Sequence, residues 1–415
     1  MSPVQVTENT FHSSRNSTFY FASGPSQGTP IIFVHGWPEL ALSWRHQLPI
    51  FGALGFRAIA PDLRGHGRSS LYSTHHAYAQ RELVADMIEL LDSLGKEKAI
   101  WVGHDWGAVV VWNIASHHPD RCLAVANLCI PYATFERGLD VLVGLVNRDL
   151  YPQNEYPFGN WEYQRFYEEH FEKATSAMEA NVAATFKTLF RAGNPDGKGK
   201  PAVSSQIRRD GGWFGGKGVA PNVPRDEQII TERDLHAYVS AYERTSFYGT
   251  ASLYMNHAAN ARYALEALND GHLDMPVLFL EAEYDYTCDC VELAFDRTDE
   301  EALPRSHDRE DLLRALDGTR KACRGQCKPR ALAGCESSAS LARLRCRAAS
   351  RRCPTRAQRK WVPGPVSRKT DWPADPAVHP APLRLRISDD RRPSHCAPPW
   401  LRHRLPLLGR GPHGS

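Results

Sequence analysis

Residues 99–107 read Ala-Ile-Trp-Val-Gly-His-Asp-Trp-Gly, and this stretch decides the fold. Its first four residues are apolar and predict a buried strand, and the apolar residues 108–116 predict a helix directly behind it. Only small side chains fit at Gly103 and Gly107, because larger ones would collide with the neighbouring strand and helix. The segment therefore predicts a sharp turn between strand and helix that presents the Asp105 side chain.

Short apolar runs elsewhere in the chain alternate with segments of helical periodicity. This alternation is typical of an α/β fold, in which helices cover a mostly parallel sheet. Apolar residues at helical spacing predict a helix that ends at Gly95. Further buried strands are predicted at residues 31–34, 58–60, 124–129 and 277–280.

Composition divides the chain into four segments. Between residues 132 and 254 aromatic and charged residues dominate and no strand pattern occurs, which predicts a helical insertion. After Cys288 the sequence is rich in Arg, Pro, Cys and Ser, and such weak apolar patterning does not support a packed core. We therefore predict a sheet-containing core over residues 1–131, a helical cap over 132–254, the rest of the core over 255–288, and a poorly ordered tail over 289–415.

Charge and hydropathy bound the functional class. The chain has 415 residues and a formal net charge of +3, which is too small to argue for a nucleic-acid partner. No apolar run reaches the roughly 18 residues that a membrane span needs, and residues 1–24 lack the apolar centre of a secretion signal. We therefore expect a protein of the cytoplasm without a membrane partner.

Six of the ten cysteines follow residue 322. Their spacing contains no paired Cys-x-x-Cys and no histidine at zinc-ligand distance. We therefore expect neither a metal nor any other cofactor.

The Asp105 carboxylate is a candidate nucleophile. A helix N-terminus and its backbone N–H groups stabilise negative charge, so an ionised carboxylate there needs no base before it attacks carbon. The attack leaves a covalent ester that a second step must hydrolyse. His-Gly-Trp-Pro at residues 35–38 follows the first predicted buried strand, so we expect backbone N–H groups of Trp37 and Trp106 to form the oxyanion hole. The turn alone leaves open an aspartate that only caps the helix.

Four motifs together resemble the epoxide hydrolase family of the α/β-hydrolase superfamily. They are His-Gly-Trp-Pro at 35–38, Gly-His-Gly-Arg-Ser at 65–69, Gly-His-Asp-Trp-Gly at 103–107 and Ala-Glu-Tyr-Asp at 282–285. The resemblance covers residues 28–288 and implies the α/β-hydrolase fold, a mostly parallel central sheet with a helical cap. It further implies that a small-molecule epoxide reacts with water to give a vicinal diol.

The resemblance also implies roles for individual residues. Asp105 would be the nucleophile that opens the epoxide and becomes esterified. Tyr163 and Tyr254 match the two cap tyrosines that hold the epoxide oxygen, and a phenol donor suits a strongly basic leaving alkoxide. Asp285 matches the acid that orients a catalytic histidine.

The resemblance breaks after Cys288. The catalytic histidine should follow Asp285 after one more strand, but no later histidine comes after a strand pattern and a glycine. These histidines are His307, His379, His395, His403 and His413. Codon degeneracy allows residues 297–303 and 314–322 to be read in a shifted frame as family-like sequence. We therefore interpret the chain as leaving its proper reading frame near Asp289, and expect the ester intermediate to persist.

Other functions stay open at this point. A haloalkane or haloacid dehalogenase uses the same carboxylate nucleophile, and N–H donors such as those of Trp37 and Trp106 suit its halide leaving group. Tyr163 and Tyr254 favour an epoxide instead. The missing histidine also allows a non-catalytic protein of the same fold, or a product that does not fold. An esterase is disfavoured because no serine occupies the position of Asp105.

Overall fold

The computed structural model describes residues 5–288 and the backbone of residues 384–387. Within these residues, eight strands form one sheet in the order β1-β2-β4-β3-β5-β6-β7-β8. The strands are Val6–His12 (β1), Ser17–Ser23 (β2), Pro30–Val34 (β3), Arg57–Pro61 (β4), Ala99–His104 (β5), Cys122–Leu128 (β6), Val277–Glu281 (β7) and Arg384–Ile387 (β8).

The centre of the sheet is parallel and its edges are antiparallel. Strands β3 to β7 pair in parallel, which confirms the predicted mostly parallel sheet. β1 and β2 form an antiparallel hairpin that joins the sheet through β4, and β8 pairs antiparallel with β7 at the opposite edge. The sequence pattern predicts none of these three strands. β1 in particular is mostly exposed and polar, so it lacks the apolar run that marks a buried strand.

Both faces of the sheet are covered, which is why its central strands are apolar at successive residues. On one face Ile31 packs with residues of the helix Gln47–Ala53 (α1). On the other face Ile32 belongs to the main core together with the helices Gln80–Ser93 (α2) and Trp106–His117 (α3). Nearly every residue of α3 is buried, so this helix is apolar on all sides.

The segment between β6 and β7 is helical. Its longest helices are Glu162–Glu179 (α5) and Glu232–Thr245 (α7). Thr231 and Asp234 form a capping box that satisfies the first N–H groups of α7. The α-helices are Leu139–Gly144 (α4), Glu162–Glu179 (α5), Val182–Leu189 (α6), Glu232–Thr245 (α7), Tyr248–Ala251 (α8) and His257–Ala264 (α9).

Two sequence predictions are not tested by the described residues. The tail predicted from residue 289 lies outside the described residues except for β8, and the domain boundaries at 131, 254 and 288 remain predictions. None of the helices in the described part of the chain is both long and apolar enough to cross a membrane.

Candidate active site

The turn at Asp105 joins β5 directly to α3. Asp105 has a φ of 53° and a ψ of −127°, a backbone conformation that residues with a Cβ rarely adopt. A Cβ at Gly107 would lie 2.2 Å from the carbonyl oxygen of Val34, and one at Gly103 would lie 2.5 Å from Oδ1 of Asn127. The turn therefore requires glycine at both positions, as the Gly-x-Asp-x-Gly spacing predicts.

Two backbone N–H groups act on the Asp105 carboxylate. The N–H of Trp37 donates to Oδ1 at 2.7 Å, and the N–H of Trp106 lies close enough to lower the pKa of the carboxyl group. Glycine is required at Gly36 for this approach, because a Cβ there would lie 2.4 Å from Cβ of Asp105. The two donors are the pair that the sequence assigns to the oxyanion hole, and they stabilise negative charge on this carboxyl group.

Asp105 is ionisable near neutral pH. Burial raises the pKa of this carboxyl group to about 6. The positive side chain of His104 and the N–H groups of Trp37 and Trp106 lower the pKa, whereas the Glu39 carboxylate adds to the rise. The carboxylate form therefore dominates at pH 7, which an attacking nucleophile requires.

A buried ion pair lies close to Asp105. Nδ1 of His104 lies 3.1 Å from Oε2 of Glu39, and the same carboxylate oxygen accepts a hydrogen bond from the N–H of Gly36 at 3.1 Å. Burial opposes charge on His104, but the Glu39 carboxylate and the Cys129 thiol outweigh it and raise the pKa of this imidazole well above its usual value. The positive imidazolium in turn favours the ionised form of Asp105.

Tyr163 and Tyr254 contact each other near Asp105. Tyr163 lies on α5 and Tyr254 in the 3-10 helix Ser252–Met255, and their rings meet edge to face with centroids 5.5 Å apart. Burial, with a contribution from the negative charge of Asp105, raises the pKa of both phenols well above the usual value of 10. Both hydroxyls therefore stay protonated near pH 7 and are available as hydrogen-bond and proton donors.

The two tyrosines are also positioned by their neighbours. Tyr254 packs edge to face on the indoles of Trp37 and Trp106, at 5.7 and 5.3 Å between centroids. The Tyr163 hydroxyl accepts a hydrogen bond from Nε2 of Gln164 at 3.0 Å. Such contacts hold the rings in place while leaving each phenol proton free to be donated.

Asp285 lies in the turn that follows β7. Its Oδ1 accepts hydrogen bonds from the backbone N–H groups of Thr287 at 3.0 Å and Cys288 at 2.9 Å, and burial raises its pKa. The positive charge of His104 and the Cys288 thiol favour its ionised form. All the histidines that follow Asp285 in the chain lie outside the described residues, so its role as an orienting acid stays a prediction.

Three side chains of the site do not stand out in the sequence. Glu39 follows Gly36 by three residues, a spacing that lets its carboxylate fold back onto that N–H. Tyr167 lies four residues after Tyr163 on α5 and therefore on the same helix face. Trp213 comes from a loop without helical or strand periodicity, and no sequence signal predicts its place.

The cap also carries a surface cavity of about 420 Å³. Charged and polar side chains line it, among them Glu162, His170 and Arg208. None of the six predicted site residues lines this cavity. It is therefore separate from the cluster around Asp105.

The chain is similar to known hydrolases in sequence and in fold. Residues 29–219 match the family model of the alpha/beta hydrolase fold. Epoxide hydrolase A from Mycobacterium tuberculosis is 33% identical over 279 residues, which cover 66% of this chain and 80% of that protein. Bifunctional epoxide hydrolase 2 from Sus scrofa is 31% identical over 258 residues, and the match spans 62% of this chain but only 43% of the pig protein. The crystal structure of Epoxide Hydrolase A from Mycobacterium thermoresistibile is 29% identical, with a TM-score of 0.53 over 66% of this chain and 82% of that one.

The sheet and the turn at Asp105 define a hydrolase of the α/β-hydrolase fold. Within that class, the chain belongs to the epoxide hydrolase family. The fold and the family that the motifs predict are therefore both confirmed.

Proposed function

We propose that the cluster around Asp105 opens epoxides through an aspartyl ester. The observation that carries the proposal is the joint placement of an N–H-bound carboxylate and two buried phenols. The N–H of Trp37 binds Asp105 at 2.7 Å, and the negative charge of Asp105 acts on the hydroxyls of both Tyr163 and Tyr254. An epoxide between them meets a nucleophile on one side and proton donors on the other.

In the first step, an oxygen of the Asp105 carboxylate attacks one epoxide carbon. The bond between this carbon and the epoxide oxygen breaks, and the oxygen takes a proton from Tyr163 or Tyr254. The product is a 2-hydroxyalkyl ester of Asp105, and the protein retains the phenolate until a proton returns from solvent. Two tyrosines share this task, because an alkoxide is too basic to leave without a donor.

In the second step, water attacks the carbonyl carbon of the ester. The N–H groups of Trp37 and Trp106 then stabilise the negative charge on the carbonyl oxygen. The ester bond breaks, a vicinal diol leaves, and the carboxylate is restored with one oxygen from water. We propose Asp285 as the acid that orients the histidine base of this step, and the epoxide and water as the only reactants, in the cytoplasm.

The experiment is covalent labelling of the full chain with styrene oxide. We expect an adduct of one epoxide per chain, and peptide mass spectrometry should place it on Asp105. The variant Asp105→Asn should give no adduct, because an amide does not attack the epoxide. Labelling of the variant at the rate of the unchanged chain would refute the proposal.

A dehalogenase is a second candidate, because one indole donor near the carboxylate has no assigned acceptor. The Trp37 indole N–H is buried without a hydrogen-bond partner among the described residues, as a halide-binding donor would be. The Trp106 indole, in contrast, already interacts with the Tyr254 hydroxyl. A 1-chloroalkane incubated beside styrene oxide separates the two functions: chloride release without epoxide labelling would favour the dehalogenase.

A further inference from the structure

Three buried polar groups beside the tyrosine pair lack a hydrogen-bond partner among the described residues. They are the hydroxyl of Tyr167 and the indole N–H groups of Trp37 and Trp213. Tyr167 is fully buried, and Trp37 and Trp213 are 5% and 9% exposed. Leaving such a group unpaired costs about 1–3 kcal/mol, so three of them in contact need an explanation.

The three side chains are mutual neighbours. The ring of Trp213 stacks on Trp37 with centroids 5.9 Å apart, and both lie about the same distance from Tyr167, at 6.0 and 6.3 Å. The Trp213 indole is close enough to the Tyr167 hydroxyl to oppose the rise that burial causes in the pKa of this phenol, yet neither atom completes a hydrogen bond. The polar groups of Tyr167 and Trp213 therefore lie close together in this buried cluster.

Tyr167 and Trp213 adjoin the groups that are proposed to react. Tyr167 stacks on Tyr254 with centroids 4.7 Å apart and planes 5° from parallel, and Trp213 meets the ring of Tyr163 at 6.1 Å. Trp37 also supplies the backbone N–H that binds Asp105. A substrate whose epoxide lies between the tyrosines would carry its first substituent past Tyr167 and Trp213.

The chemistry of the two groups defines the ligand. An indole N–H only donates hydrogen bonds, and a phenol that accepts one still has its own proton to donate. Tyr167 and Trp213 together therefore suit a ligand that accepts hydrogen bonds. An anionic group on the ligand would be repelled by the Asp105 carboxylate, which favours a neutral acceptor.

We propose that Tyr167 and Trp213 form a subsite for a neutral ether or carbonyl oxygen on the substrate, one or two atoms from the epoxide ring. The subsite makes the chain selective for oxygenated epoxides, such as glycidyl ethers, over hydrocarbon epoxides of the same shape. The inference rests on the proposed function, since it assumes that an epoxide occupies the site above Asp105.

The test compares butyl glycidyl ether with 1,2-epoxyoctane, which differ only by an ether oxygen in place of a methylene group. The rate of Asp105 labelling is measured against epoxide concentration by intact-protein mass spectrometry. We expect a half-saturating concentration about 3- to 10-fold lower for the ether, the ratio that one hydrogen bond to a neutral acceptor gives, with similar maximal rates. Tyr167→Phe and Trp213→Phe should each reduce this ratio.

Tyr263→Phe is the matched control, because the Tyr263 ring packs against His117 and Arg81. The control should keep the preference. Equal half-saturation for both epoxides in the unchanged chain, or a full preference in both Tyr167→Phe and Trp213→Phe, would overturn the subsite. Circular dichroism spectra of the variants establish that each one is folded.

A second measurement separates this inference from the proposed function. Tryptophan fluorescence titration of Asp105→Asn measures binding of the two epoxides without any labelling step. Tighter binding of the ether here, together with no labelling of the unchanged chain, would support the subsite and reject the ester mechanism. Equal binding here would reject the subsite whatever the labelling shows.

Discussion

Asp105 illustrates at the level of one residue how opposing effects set reactivity. Burial alone would keep its carboxyl group neutral, and the neutral form does not attack carbon. The charge of His104 and the N–H groups of Trp37 and Trp106 counteract burial, so the pKa settles at about 6. The Glu39 carboxylate keeps His104 in its charged form. Glu39 itself takes no part in the proposed reaction.

The pH dependence of labelling should follow this pKa. Because only the carboxylate attacks, the rate of Asp105 labelling by an epoxide should fall about tenfold from pH 7 to pH 5. Above pH 7 it should stay level, since both phenols keep their protons there. The labelling rate is measured by intact-protein mass spectrometry, with circular dichroism at each pH as the control for unfolding. A rate that is equal at pH 5 and pH 7 would contradict the assignment.

Loss of one phenol should slow labelling without preventing it. Tyr254→Phe removes one of two donors to the epoxide oxygen. We expect the maximal labelling rate to fall about 10- to 100-fold, less than the roughly 10²- to 10⁴-fold of full acid catalysis, because the second phenol remains. Tyr163→Phe should act similarly, and the double variant should be slower than either. Single-turnover labelling measures these rates, with Tyr263→Phe as the control. Unchanged labelling by the double variant would rule out phenol catalysis.

At the level of elements, the site depends on how closely α3 approaches β3. Gly107 lies in the first turn of α3, and a Cβ there would meet the carbonyl oxygens of both Val34 and His35, the latter at 2.5 Å. Backbone atoms on two sides cannot move away as a flexible side chain can. Glycine at position 107 therefore allows α3 to pack in direct contact with the end of β3.

Gly107→Ala should destabilise the protein by ~3 kcal/mol or more, because the methyl group overpacks a backbone contact. Gly55→Ala is an informative control. Gly55 has a φ of +91° and no atom within 4 Å of a Cβ, so this substitution tests backbone strain alone, at ~1–2 kcal/mol. Urea unfolding compares the two variants. A smaller loss for Gly107→Ala than for Gly55→Ala would show that the contact between α3 and β3 tolerates a methyl group.

At the level of the whole molecule, the second half of the reaction depends on a base that the described residues do not supply at Asp285. Oδ1 of Asp285 accepts hydrogen bonds from the backbone N–H groups of Thr287 and Cys288 in its own turn. The histidines that follow it lie beyond Cys288, where the sequence departs from the family pattern.

We therefore predict that the ester on Asp105 persists in this chain. The full chain should consume about one epoxide per molecule and release no diol over many minutes. A chain translated in the shifted frame after residue 288 should turn over repeatedly, and in ¹⁸O-labelled water it should carry label at Asp105. Gas chromatography of the diol and peptide mass spectrometry measure the two outcomes. Repeated turnover by the chain as it stands would show that a base is present.

Local patterns determined much of this protein. Strict steric limits at Gly103 and Gly107 mark the turn at Asp105, and apolar runs mark the five parallel strands, because both signals arise within a few consecutive residues. β1 escaped prediction, because it is polar and mostly exposed and its pairing with β2 rather than an apolar run makes it a strand.

Tertiary structure alone decided which side chains meet. The pairing of Glu39 with His104, and the contact of Tyr167 with Trp213, join residues 65 and 46 positions apart. Such contacts depend on how loops and helices pack over the sheet, and no local rule for a loop residue like Trp213 encodes that packing. The turn that presents Asp105, the proposed nucleophile, was therefore predictable from the sequence. The buried ion pair of His104 and Glu39 and the proposed oxygen subsite were found only in the folded chain.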